Sequence, residues 1–159
     1  MPSVQQGLRL KRANSDTSWT LHTRSDGGIS FFNSTGESKM LLKANGDLFI
    51  DGSLNPPSDI NKKESFLELD KNKILSSLVS LPISGWKYKN SDDRHIGPMA
   101  QDFYKAFGLG AGDKTISTVD ADGVALLAIQ ALNEQNVKLL ERVEELEKQI
   151  DEIKSLISN

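Results

Sequence analysis

The chain has 159 residues, 19 Lys/Arg against 22 Asp/Glu for a formal net charge of −3, and no cysteine. That length suits one or two small domains. The missing thiols exclude disulfide staples and thiolate metal sites, and the absence of a basic stripe argues against nucleic acid as a partner. His22 and His95 are far apart in sequence and form no ligand-spaced cluster, so no metal or cofactor is expected. No apolar run approaches a membrane span, and the N-terminus lacks a signal-like segment. The opening Met1-Pro2-Ser3 is compatible with a start inside a longer protein.

Residues 1–54 predict short strands and turns. Trp19 to Thr23 alternates, Ser25-Asp26-Gly27-Gly28 turns, Ile29 to Phe32 is strand-like, and Asn33-Ser34-Thr35-Gly36 turns again. Met40-Leu41-Leu42 runs into Asn45-Gly46-Asp47, and Leu48-Phe49-Ile50 follows; Asn-Gly between apolar runs is a strong hairpin signal. The segment holds few large apolar residues, and a lone meander of this size is marginal in water. The expectation is a stalk in which three chains bury each other's apolar faces as a shared prism or triple β-helix. Asn55-Pro56-Pro57 breaks the pattern, because proline cannot donate to a ladder and restricts the residue before it.

Beyond the break, Asp70 can cap a helix starting at Lys71 with Ile74, Leu75, Leu78 and Val79 on one face, ended by Pro82. Ile83 to Tyr88 alternates as a strand, and Arg94 to Met99 looks extended. Ala100 to Phe107 predicts a helix closed by Gly108. Ile116 to Val119 reads as a short strand, with Asp120 or Asp122 capping the last helix.

That last helix carries the clearest periodicity in the chain. Ile129, Leu132, Asn136, Leu139, Val143, Leu146, Ile150, Ile153 and Ile157 recur at alternating spacings of three and four, the a/d rhythm of a left-handed coiled coil. Such a narrow stripe cannot bury itself, so the chain is expected to associate. Isoleucine at both a (Ile150, Ile157) and d (Ile153) shifts preference beyond two strands, and Asn136 at an a position fixes register. Arg142 at g and Glu147 at the following e could pair between chains.

Candidate chemistry lies just past the proline break. In Pro57-Ser58-Asp59-Ile60-Asn61-Lys62-Lys63, Ser58 and Lys63 stand five apart. A serine hydroxyl becomes a nucleophile only when a base takes its proton. Lysine serves as that base only when neutral, through burial or neighbouring positive charge. From spacing alone, a turn or cap serine beside a solvated lysine is the commoner reading. Trp19, Trp86 and Tyr88 could form a saccharide platform, though isolated strand aromatics are more often core. His95 is expected to pack rather than catalyse, and Asp120, Asp122 and Gly123 to cap a helix rather than hold calcium.

Ser58-Asp59-Ile60-Asn61-Lys62-Lys63-Glu64-Ser65-Phe66 resembles the opening of the intramolecular chaperone domain of phage tailspikes and tail fibres, an endosialidase-type domain classed as a self-cleaving serine peptidase. The same module occurs in myelin regulatory factor. The resemblance continues through Leu81 to Tyr88, Arg94 to Phe103 and Val119 to Leu132. It departs from the motif at Ile60 and Asn61, where an arginine is missing, and at Lys62, where an apolar residue is common. It implies Ser58 as nucleophile, Lys63 as general base, a cut between Pro57 and Ser58, and assembly of the site only in a trimer. Asp59 would order the turn.

The expected architecture is an α+β homotrimer. It has an intertwined β-rich stalk (1–57), a small α/β chaperone domain (58–123) and a parallel three-stranded coiled coil (124–159). The implied function is to trimerise and register a fibre, with release by autoproteolysis. The alternative is a retained tip that binds a cell-surface glycan or protein. By resemblance, either role places the chain outside the cell, on a virion tail fibre or a bacterial surface.

Overall fold

A computed structural model describes residues 7–158; the Met1-Pro2-Ser3 opening lies outside them. The chain divides between Ser65 and Phe66 into two compact units. The first is a five-stranded antiparallel meander of β1 (Gly7–Lys11), β2 (Ser18–Thr23), β3 (Ile29–Phe32), β4 (Ser38–Leu42) and β5 (Leu48–Ile50), paired in sequence order. Every ladder closes within the one chain. β1 was not singled out from the sequence, although Leu8 and Leu10 alternate with Arg9 and Lys11 as β2 does.

Three turns join β2 to β5, and all three have the same build. Arg24 N–H donates to Gly28 O, Asn33 to Glu37 and Lys43 to Asp47, while Gly27, Gly36 and Gly46 each donate back to the first residue of the turn. The fourth position of each needs the left-handed region, which glycine reaches without penalty: φ is 80°, 83° and 95°. A side-chain carboxylate or amide from Asp26, Asn33 or Asn45 accepts a backbone N–H two residues on in each turn, the usual Asx arrangement. Lys39 falls between the register pairs Phe31–Met40 and Phe32–Ser38 as the extra residue of a bulge.

Register places Leu8 opposite Leu21, Leu10 opposite Trp19, Phe31 opposite Met40, Ile29 opposite Leu42, and Met40 and Leu42 opposite Ile50 and Leu48. Side chains alternate along a strand, so all of these share one face. The other face carries Arg9, Ser18, Thr20, His22 and Ser30, together with Phe32, Leu41 and Phe49. Nothing in the first unit covers the apolar face: no large apolar side chain of the described meander is buried, and its fully buried side chain is Ser30. Each uncovered Leu, Ile or Phe forgoes about 1.5–3 kcal/mol of burial free energy.

In the second unit, α1 (Lys71–Val79) begins where the sequence predicts, with the Asp70 side chain accepting the Lys73 N–H at 3.0 Å. β6 (Ser84–Trp86) and β7 (His95–Gly97) form a two-stranded hairpin. α2 (Ala100–Phe107) ends at Gly108, whose φ of 65° makes the left-handed C-terminal cap. The core is small: Leu81, Phe103 and Val124, flanked by Ile74, Leu78, Phe107 and Ile116.

α3 (Thr118–Ile157) has 40 residues, about 60 Å at 1.5 Å per residue. It starts earlier than the sequence suggested. Thr118 and Val119 belong to the helix, Ser117 takes the cap position, and Asp120 lies in the first turn, where a carboxylate complements the helix dipole. The strand expected at Ile116 to Val119 does not form. Ile116 packs on the core instead, and a helix start there lets Val124 reach the same core.

Two faces of α3 have separate uses. Val124, Ala128 and Ala131 are buried against α1, the small alanines letting the helices approach. At the far end of this contact Lys71 pairs with Glu134 at 2.5 Å, and Gln135 donates to Asn72 at 3.1 Å. The heptad stripe is on another face. Ile129, Leu132, Leu139, Val143, Leu146, Ile150, Ile153 and Ile157 are all exposed. Beyond Gln135 the helix continues for about 33 Å with both its seam and its flanks uncovered.

Candidate functional site

After β5 the chain becomes extended and wholly exposed through residue 69, apart from a single 3-10 turn at Ile60–Lys62. Asn55-Pro56-Pro57 explains the extension, since proline disfavours helix in the residue before it. Asp59 explains the turn. Its carboxylate accepts the Asn61 backbone N–H and the Asn61 side-chain amide, both at 2.9 Å, while its carbonyl accepts Lys62 N–H at 3.1 Å. The ordering role expected of Asp59 is therefore the one it has.

The turn brings the two candidate catalytic side chains together. Lys63 Nζ donates to Ser58 Oγ at 2.7 Å. That is within the range a proton transfer needs. The direction matters: an ammonium donates to the hydroxyl, whereas a general base must accept from it. Both residues are exposed in the single chain. The backbone N–H groups of Asp59 and Ile60, the first after Ser58, find no acceptor among the described residues, so both are free to serve a developing oxyanion. Ser65, two residues past Lys63, sits in the left-handed region at φ 56°, which L side chains rarely adopt.

Ser58, Lys63 and the Asp59 turn all lie within one hexapeptide. Residues 58–108 match the family described as chaperone of endosialidase. The match starts at the serine of the pair. The chain is also similar to a Klebsiella phage KP32 protein named depolymerase 1, capsule K3-specific. The two are 34% identical over 90 residues, covering 50% of this chain and 10% of that protein. The chain thus corresponds to about one-tenth of the length of that relative. Together these findings support an intramolecular chaperone domain of the phage tail-fibre kind.

Around this domain the remaining sequence candidates separate. Trp19 lies on the apolar face of the meander, in the first unit. Trp86, Tyr88 and His95 meet in the second: Trp86 lies 5.0 Å from Tyr88 and 4.8 Å from His95 between ring centroids, and Tyr88 lies 5.4 Å from His95. His95 packs, as expected. Asp120 and Asp122 are helical residues of α3 rather than loop ligands. Arg142 bonds Glu145 at 2.5 Å within its own chain. No helix among the described residues is long and apolar enough to cross a membrane. Sequence reasoning missed Gln101 and Thr115, which line a cleft with Trp86 and Tyr88. Neither residue has a motif signal, and only the fold brings them together.

Proposed function

We propose that this chain is an intramolecular chaperone that gathers three copies of a fibre or tailspike-like protein and registers their strands. The carrying observation is the exposed heptad stripe of α3, which remains bare while a separate face of the same helix packs on α1. The parallel coil raises the local concentration of the three meanders. Their apolar faces then close on one another. Interchain β structure is slow to nucleate, which is the need such a chaperone meets. The similarity to a phage protein supports a virion-associated location for this assembly.

Release follows by self-cleavage between Pro57 and Ser58. Covering the pair on assembly strips water from Lys63, and the neighbouring Lys62 charge further favours the neutral amine. Lys63 Nζ then takes the Ser58 hydroxyl proton, and Oγ attacks the Pro57 carbonyl carbon. The oxyanion is held by the Asp59 and Ile60 N–H groups. Collapse breaks the Pro57–Ser58 C–N bond. The proton on Lys63 goes to the Ser58 nitrogen, leaving Pro57 as an ester on Ser58 Oγ. Water hydrolyses that ester to a Pro57 carboxylate and a free Ser58. Nucleophile and electrophile are adjacent in one chain, so little translational entropy is lost.

The test is intact mass of the 159-residue chain beside Ser58→Ala and Lys63→Ala, with sedimentation of each. The expected result is two fragments divided at Pro57/Ser58 in the wild type and whole chains in both variants, all of them trimers. A trimeric wild type that stays whole removes the peptidase step and leaves the chaperone. A monomer or dimer at micromolar concentration removes the trimer.

A further inference from the structure

The second unit contains a cleft of about 450 Å³ that neither the Ser58–Lys63 pair nor the α3 seam uses. One wall is aromatic. Trp86 and Tyr88 border it, while His95 stacks on the indole with a 31° tilt and does not line the cleft. Tyr88 is 60% exposed, so its ring is available to a ligand. Gln101, from the first turn of α2, and Thr115, from the loop before α3, complete the opposite side.

The polar groups here are what set this cleft apart. The Trp86 indole N–H is buried without a hydrogen-bond partner. Buried polar groups in native proteins are nearly always paired, so each exception needs a reason. No hydrogen bond is made by the side chains of Tyr88, Gln101 or Thr115 either, although all three line the same space. An exposed aromatic wall beside side-chain donors and acceptors that make no bond within the protein is the usual composition of a site for a ring that is apolar on its face and hydroxylated at its edge. Charge narrows the class. The charged residue lining the cleft, Lys114, is already paired with Asp113 at 3.5 Å. The cleft therefore has no surplus charge that demands an acidic ligand.

We propose that this cleft binds an uncharged pyranose of a saccharide, stacked on Trp86 and Tyr88 and hydrogen-bonded through Gln101 and Thr115. The site stands on the second unit alone, and so holds whether or not the chain cleaves itself.

The test is an NMR titration of the intact 159-residue chain, following its two indole N–H resonances. The probes are an uncharged disaccharide (lactose or cellobiose), a digalacturonate and glycerol. The expected result is a saturable shift of the Trp86 indole with the uncharged disaccharides, no shift of Trp19, and none with glycerol. Tyr88→Ala and Gln101→Ala should each weaken binding about tenfold, in keeping with the loss of one stacking face or one hydrogen bond. Their sedimentation should match the wild type, which separates loss of the site from loss of assembly. An unmoved Trp86 resonance would overturn the proposal. So would a response to digalacturonate alone, or a shift that both variants leave intact.

Discussion

The two units solve the same shortage of core in opposite ways. The second unit owns a core: Leu81, Phe103 and Val124 are buried, and α1 lies on Ala128 and Ala131. The meander owns none, for most of its large apolar side chains are on one open face and none is buried. A sheet with one bare face needs a cover to be stable alone, whereas a small helical unit with an uncovered seam can fold first and associate second. Under the proposed assembly, the difference implies an order of events, in which the helical unit forms, associates through α3, and only then presents the meanders to each other.

The most severe way to break this order is to end the chain after Gln135. That removes the heptad stripe from Asn136 onward but keeps the Lys71–Glu134 and Asn72–Gln135 contacts of α3 with α1. Sedimentation should give a monomer, and circular dichroism should show helix retained with the strand signal lost. A folded meander in that monomer would mean the sheet needs no partner. A milder cut at the comparison is Ile50→Asp, which puts a charge on the apolar face without touching the second unit. It should leave α3 associated while the meander exchanges its amide protons freely. Protection equal to the wild type would show that this face is not an interface. The converse change is Phe103→Ala, which should destabilise the second unit by about 3–5 kcal/mol, read by urea unfolding through Trp86 fluorescence. A cost below about 1 kcal/mol would mean that this core collapses easily around the gap.

Acid should separate the units by the smallest margin. In the meander, the Asn33 amide, with Lys39 and Thr35, holds Glu37 below the usual carboxylate range, and the Gly28 N–H, with Arg24, does the same for Asp26. Groups depressed in the folded state contribute stability above their unfolded pKa and lose it as pH falls through the folded one. Hydrogen exchange in the turns at 24–28 and 33–37 should therefore quicken below about pH 4, while α1 and α2 are unchanged. Equal acid sensitivity in both units would count against the turn carboxylates. Both carboxylates are exposed, so the effect is confined to their own turns.

Much of this was legible in the sequence because local chemistry decided it. Asp70 and Gly108 mark their helix ends, the glycine turns mark the hairpins, and the heptad stripe announces its own exposure. What failed was local in a different sense. Ile116 to Val119 has strand-like residues, but the core it must reach is tertiary information, and packing overrode propensity. The Ser58–Lys63 spacing was visible, yet only the Asp59 cap makes five residues of separation into a 2.7 Å contact. The cleft at Trp86 was half visible. Its aromatics stand out in the sequence, whereas Gln101 and Thr115 come from a helix start and a loop that no periodicity connects.

The repeated turn has a consequence for how such a sheet can change over time. β2, β3 and β4 each end in the same five-residue loop with a left-handed glycine in fourth place. A strand and its turn therefore form an interchangeable module. Duplicating or deleting one would lengthen or shorten the meander by about one strand spacing, 4.8 Å, while alternation keeps the apolar residues on the same side. Stalks of different lengths could then be built on one unchanged chaperone, without redesigning any contact that registers them.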